Sequence, residues 1–401
     1  MKIGILLGRG IEGCGVTRFA TEFQNYLLSQ GYNCKSYATL DKKWGRKNTQ
    51  QTKIIEFKND KINNIKQQLN NCDIVFYQSL PSKSNSNSYK EKFFNELVVG
   101  VDKPIKIIFQ NDHKIHSLNR NYNLWETVKK MDCAFTFGKG TVFYKKIKEI
   151  GINTPVKFFN NGHDFSKLDF LIKKEQRKKM SYLGRFATFK EPDRMIYLQP
   201  LLSKHEIICE ARGIEKSIGA KTKFFVTNSK DLKSPEHSNI KYRSKSIIDS
   251  QDLDHLHVYG PYDRIPTLEL LSNNMFGANF FNLKKEEYSN IIEYSTLEMI
   301  NIGMIVVVDK QWAQNNYHIQ GDSFYDLDCF IYNERDKYQE TVEQIVELSN
   351  NKQLRNKKRN LAYNVAKSHC DVNIAFKDLI EKSKTVSKKK QVYEPKQTLL
   401  F

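Results

Sequence analysis

Short apolar runs alternate along the chain with segments whose apolar positions recur every three to four residues, and this alternation predicts repeated βα units. Residues 3–7, 73–77, 105–109, 133–137 and 156–159 read as strands, with helices predicted over 19–29, 62–70, 89–97, 125–130 and 141–149. A basic stretch at 173–179 reads as a linker. The alternation then restarts, with strands predicted over 180–183, 205–209, 255–259, 276–281, 305–308 and 329–332. Residues 231–251, rich in Ser, Lys and Asp, show no clear period and are expected to be a surface insertion. Helices follow over 342–349 and 354–368, and 371–382 reads as a last helix that packs back on the first domain. Repeated βα units predict parallel, doubly wound sheets with ligand sites at the carboxyl ends of their strands. Periodicity thus predicts two α/β domains, 1–170 and 171–365, with 366–401 returning to the first.

Length agrees, since 401 residues exceed the usual single-domain size. Seven cysteines form a scattered odd set without a Cys-x-x-Cys pair, which points to reduced thiols in a cytosol and away from a zinc site. No stretch approaches the roughly 20 apolar residues of a membrane span. The opening apolar run is five residues long and reads as a core strand, not a signal peptide. Charge adds a partner class: 64 Lys and Arg against 45 Asp and Glu give a net +19, a balance that attracts polyanions, nucleic acid above all. An anionic membrane surface is the competing partner. Basic clusters lie at 173–179, 355–359 and 382–390; singly each reads as a solvated face, but non-specific DNA affinity depends on their sum.

Candidate chemistry starts where the first strand ends. Gly8, Gly10, Gly13 and Gly15 separate it from the first helix, so the backbone can turn tightly and present its amides, while the helix points its positive end at the same place. An anionic ligand such as a sugar nucleotide suits that geometry. The spacing fits neither the dinucleotide fingerprint nor the P-loop, and a tight turn without a ligand would use the same glycines.

Four ordered blocks carry a resemblance. They are Arg9-Gly10-Ile11-Glu12-Gly13-Cys14-Gly15-Val16-Thr17; the segment 109–121 around Asn111-Asp112-His113, continuing to Leu124-Trp125-Glu126-Thr127-Val128; Leu183-Gly184-Arg185 with Lys190; and Glu293-Tyr294-Ser295-Thr296-Leu297-Glu298 with Gly303. Together they resemble the DNA α-glucosyltransferases of T-even bacteriophages, which decorate hydroxymethylcytosine in phage DNA. The resemblance implies a GT-B architecture, with two Rossmann-like doubly wound domains facing across a cleft. It implies a retaining transfer from a UDP-sugar to 5-hydroxymethylcytosine in double-stranded DNA, by a monomer in the host cytoplasm, with no cofactor or membrane.

Residue by residue, the resemblance assigns Arg185 and Lys190 to the donor diphosphate, where negative charge develops as the glycosidic bond breaks. In this basic protein both would otherwise read as surface cations. Glu298 matches the carboxylate that accepts both ribose hydroxyls, and Glu293 is a second donor-side carboxylate. Gly13 and Gly15 fall near the diphosphate, Tyr259 and Gly260 near the base. Asp112 matches the residue that orients or deprotonates the acceptor hydroxyl, with Glu22 and His113 as further catalytic candidates and Lys114 and Arg120 as phosphate contacts on DNA. Asn111 departs from the family, which has His there, a residue that approaches the hexose 6-hydroxyl. The donor is therefore expected to be glucose or a pentose such as arabinose that lacks the hydroxymethyl group. No Asp-x-Asp motif lies in a suitable loop, so no metal is expected. Two other readings keep the fold: a cell-surface GT-B glycosyltransferase at an anionic membrane, and a DNA-binding protein on a decayed scaffold.

Overall fold

The computed structural model describes residues 1–10, 15–40, 54–57, 61–78, 92–109, 122–138, 141–173, 175–184, 191, 194–212, 256–259, 264–280, 292–312, 329–335 and 337–388. Among them, seven parallel strands form a first sheet: β1 (Lys2–Gly10), β2 (Asn33–Leu40), β3 (Ile54–Phe57), β4 (Ile74–Gln78), β5 (Ile105–Phe109), β6 (Cys133–Thr136) and β7 (Val156–Phe158), in the order β3-β2-β1-β4-β5-β6-β7. Six more form a second parallel sheet: β8 (Arg177–Leu183), β9 (Ile208–Arg212), β10 (Leu256–Tyr259), β11 (Asn274–Asn279), β12 (Ile305–Asp309) and β13 (Phe330–Asn333), in the order β10-β9-β8-β11-β12-β13. Both sheets reverse their winding beside their first strand, between β1 and β4 and between β8 and β11. Such a switch point opens a crevice at the carboxyl ends of the two strands.

Burial explains the central strands. Every residue of β4 is buried, as expected for a strand covered on both faces. Ile74 and Phe76 face the core under the first helix, α1 (Gly15–Ser29), while Val75 and Tyr77 face that under α2 (Ile62–Asn70). On α1 the residues Phe19, Ala20, Phe23, Tyr26 and Leu27 form one buried stripe at helical spacing. The chain leaves this helix through Gly31 at φ +77, a conformation natural to glycine.

Helices α3 (Tyr122–Lys129) and α4 (Val142–Ile150) complete the first unit; α5 (Arg194–Ser203), α6 (Arg264–Leu271), α7 (Tyr294–Asn301), α8 (Tyr338–Asn350) and α9 (Lys352–Cys370) belong with the second sheet. The chain then crosses back. Asp371 caps α10 (Val372–Lys384), accepting from Asn373 N–H at 2.9 Å, and forms a parallel bridge with His163. Phe376 of α10 packs on Phe19, Phe23 and Tyr26, with ring centroids 5.4, 5.1 and 5.8 Å apart. Gly162 makes this possible: a Cβ there would lie 2.4 Å from the Phe376 ring.

The structure revises several sequence expectations. Strands β2 and β3 were not predicted, because Asn33-Cys34-Lys35-Ser36 alternates polar and apolar too weakly and β3 is a four-residue edge strand. The stretch 173–179 is only partly a connection, since Arg177, Lys178 and Lys179 open β8, whose first half is solvent-accessible. The strand expected at 205–209 begins at Ile208 because Ile207 N–H still donates to Leu202 of α5 (3.2 Å), with Glu206 turning the chain at φ +59. Instead of a regular helix to 97, the chain forms a π-helical turn over Phe94–Val99. The insertion expected at 231–251 lies outside the described residues.

Candidate active site at the junction of the two sheets

Two helices from opposite sheets meet end to end. Helix α1 follows β1 and starts at Gly15; α7 follows β11 and starts at Tyr294. A Cβ on Gly15 would lie 3.8 Å from Tyr294 Cδ2, so the two N-termini face the same space. Helix N-termini carry partial positive charge and free N–H groups, and two together suit an anion such as a diphosphate. The first turn of α7 is braced from β11, whose Asn279 Nδ2 donates to Ser295 Oγ (2.9 Å) and Thr296 Oγ1 (2.8 Å).

Arg18, on the first turns of α1, ties the junction together. Its Nε donates to Glu22 (2.8 Å), one turn along the same helix, and its Nη1 donates to Glu298 of α7 (2.6 Å). Its Nη2 lies 3.1 Å from His163 Nδ1, and the guanidinium carbon sits 4.1 Å above the Tyr294 ring. Burial by itself would lower the pKa of Arg18, but Glu298, Glu22 and Tyr294 more than offset it, so the value is raised and the cation is permanent. His163 Nε2 faces Asn301 of α7 at 3.1 Å. Glu298 is only 4% exposed, which an unpaired carboxylate could not sustain.

Two further groups look onto the carboxyl edge of the first sheet. Glu22 Oε2 is buried without a hydrogen-bond partner, and so are both side-chain atoms of Gln78. Gln78 closes β4 between Leu7 of β1 and Phe109 of β5, at the switch point. The edge of the second sheet is instead held by charge. Arg194 donates to Glu191 (Nε, 2.7 Å), Asp309 (Nη2, 2.6 Å) and Asn333 Oδ1 (Nη1, 2.9 Å), and Arg335 reaches Glu191 at 2.7 Å. Burial depresses Arg194, while Asp309 and Glu191 raise it further, for a net raised pKa. Glu191 holds φ +36, a left-handed conformation a network of this kind can impose.

Of the residues singled out in the sequence, Gly15, Glu22, Glu293 and Glu298 come together here. Tyr259 closes β10, an edge strand three places from β11, about 14 Å across the sheet at ordinary strand spacing. Gly13, Asn111, Asp112, His113, Lys114, Arg120, Arg185, Lys190 and Gly260 lie outside the described residues. Sequence reasoning gave no role to Arg18, Tyr294, His163 or Asn301. Arg18 had a local signal, an Arg–Glu pair at i,i+4 on the polar side of α1; His163 had none. Among the described residues no cluster of His, Cys, Asp and Glu could hold a metal ion, and no helix is long and apolar enough to cross a membrane.

Two doubly wound parallel sheets, with a glycine-led helix of one facing a carboxylate-bearing helix of the other, are the architecture of the GT-B fold class. Within that class the chain resembles the DNA α-glucosyltransferases, whose family profile, "DNA alpha-glucosyltransferase", matches residues 14–169. The DNA alpha-glucosyltransferase of Enterobacteria phage T4 is 25% identical over 412 aligned residues, covering 94% of this chain and 98% of the relative. An alpha-glucosyltransferase solved with UDP and a 13-mer DNA containing an HMU base superposes with a TM-score of 0.76 at 20% identity, covering 95% of this chain and 98% of the other. An alpha-glucosyltransferase with UDP-glucose and DNA containing an abasic site gives 0.73 at 22% identity, covering 95% and 99%.

Proposed function

We propose that this chain transfers a glycosyl group from a UDP-sugar to a hydroxymethylated pyrimidine, 5-hydroxymethylcytosine in the first instance, in double-stranded DNA. The observation that carries this reading is the junction itself: Glu298, buried at the meeting of two helix N-termini, offers a carboxylate to a vicinal diol beside a place for its diphosphate. The likeness to the T4 enzyme along 94% of the chain supports it, and the solved relatives hold UDP or UDP-glucose together with DNA.

In this reading Glu298 takes the ribose hydroxyls, and Glu293, Gly13, Gly15, Tyr259 and Gly260 line the donor. Arg185 and Lys190 neutralise the departing diphosphate. The bond from the sugar C1 to the UDP oxygen breaks, and a bond to the acceptor hydroxymethyl oxygen forms on the same face. The hydroxyl proton passes to the leaving phosphate, with Asp112, Glu22 and His113 orienting the acceptor. UDP-glucose is the reference donor. Asn111 favours a second, a UDP-pentose such as UDP-arabinose, because an amide lacks the ring and reach of the His it replaces. Lys114 and Arg120 hold phosphates of a duplex whose base is flipped, at a cost of a few kcal/mol. The net +19 charge supports a DNA partner, and the working unit is a monomer in the host cytoplasm.

The test offers UDP-sugars with duplexes carrying cytosine or hydroxymethylcytosine, followed by mass spectrometry of the released nucleosides. A hexose or pentose increment confined to the hydroxymethylated duplex is the expected result, and its mass identifies the sugar. UDP release with no increment on either duplex would move the acceptor away from DNA.

A further inference from the structure

We propose that Arg18 is a positioning residue that sets the orientation of α7, and with it Glu298, for the nucleotide; this rests on the reading of Glu298 as the ribose carboxylate. One guanidinium holds α7 at two heights. It donates to Glu298 directly at 2.6 Å and to His163 Nδ1 at 3.1 Å; the ring proton then sits on Nε2, which abuts the Asn301 side-chain amide at 3.1 Å. Residues three apart lie on one face of a helix, one above the other. Asn279 braces the start of α7 from β11, and these contacts hold the face that carries Glu298, so its carboxylate keeps one direction. The third edge of the guanidinium is committed to Glu22 at 2.8 Å.

The geometry also explains the residue type. Arginine is a planar fork of five donors that serves acceptors in several directions at once, whereas lysine is a point charge on a flexible stem. The Tyr294 ring below the guanidinium holds its plane. His163 is equally fixed: it is fully buried, its N–H donates to the carbonyl of Cys370 (2.7 Å), and its carbonyl accepts from Val372 (3.1 Å), where the chain returns to the first sheet. The orientation of α7 is thereby referred to both α1 and the chain crossing. Glu22 and Glu298, one on each side of the junction, both pair with this guanidinium.

Steady-state kinetics and UDP calorimetry on the full chain and its Arg18→Met, Arg18→Lys and His163→Asn variants test this, with circular dichroism and thermal midpoints alongside. Arg18→Met is expected to raise both the KM for UDP-sugar and the Kd for UDP about tenfold, with a smaller fall in kcat, and Arg18→Lys to regain the midpoint but less than half of the lost affinity. His163→Asn cuts only the indirect arm and is expected to raise KM about threefold. A lowered midpoint in Arg18→Met with KM and Kd within twofold of the parent marks a merely structural role and overturns the proposal. So does full recovery of affinity by lysine. If Arg18→Met does not fold, unchanged KM in both other variants overturns it. A parent chain that binds no UDP overturns the functional reading together with this one, whereas a UDP-binding parent with indifferent variants overturns this one alone.

Discussion

On the face of the first sheet under α1 the core is aromatic: Phe19, Phe23, Phe76, Phe109, Phe135, Phe159 and Phe376 meet at ring-centroid distances from 4.9 to 6.3 Å, mostly edge to face. Around the second sheet the cores are built mainly of Leu, Ile, Val and Met, and the carboxyl edge is closed by a buried ion network centred on Arg194. The difference shows two ways of fixing the same winding. Aromatic rings carry large buried area in rigid shapes, so the first unit can dock a helix from the far end of the chain through Phe376. A buried ion network adds little net stability but tolerates no missing member. It stands at Glu191, immediately after the segment that bears Arg185 and Lys190.

The sharpest way to break this comparison is Arg194→Met, which leaves Glu191 and Asp309 buried without their main counter-charge. It should destabilise the second unit by about 3–5 kcal/mol and speed hydrogen exchange in β12 and β13 while β4 and β5 stay protected. Equal acceleration in both sheets would show that the network does not belong to the second unit alone.

Next in size is Gly162→Ala. The new methyl meets a Phe376 ring already wedged among Phe19, Phe23 and Tyr26, so relief requires α10 to move, at about 1–3 kcal/mol. Faster exchange and tryptic cleavage in α10, with α8 unaffected, is the expected outcome. A Gly162→Ala chain as resistant as the parent would mean that the ring can yield.

A third effect depends on pH. Lys106 of β5 is buried, donating to the Val98 carbonyl at 3.0 Å. Burial pushes its pKa down to about 8 from 10.5, although Asp132 pulls the other way. The folded chain therefore sheds this proton before the unfolded chain does. The cost of burying the charge is fully present below about 8 and fades as pH rises toward 10.5. Urea denaturation from pH 7 to 10 should show this contribution as stability gained with pH, and in Lys106→Met the gain should flatten. A slope unchanged by the substitution would place the titration elsewhere.

Much of the architecture was legible because it is local. The apolar runs at 3–7, 105–109 and 305–308 became β1, β5 and β12, central or near-central strands, and the stripe from Phe19 to Leu27 became the buried face of α1. Where the alternation is weak, as in β2, or the strand is a four-residue edge, as in β3, the pattern was too faint to read. The site was half legible. Glu22 and Glu298 stood out through the resemblance, whereas Arg18 was passed over as one basic residue among 64.

By itself the sequence determined most of the strands and helices, where the glycines let the chain turn, and a net charge of +19, since these follow from neighbours and from composition. Only the tertiary structure decided that Arg18 meets Glu298 280 positions away, that His163 lies between that arginine and Asn301, and that Asp371 returns the chain to His163. Such pairings depend on how two separately wound sheets face each other. No periodicity within either sheet encodes that.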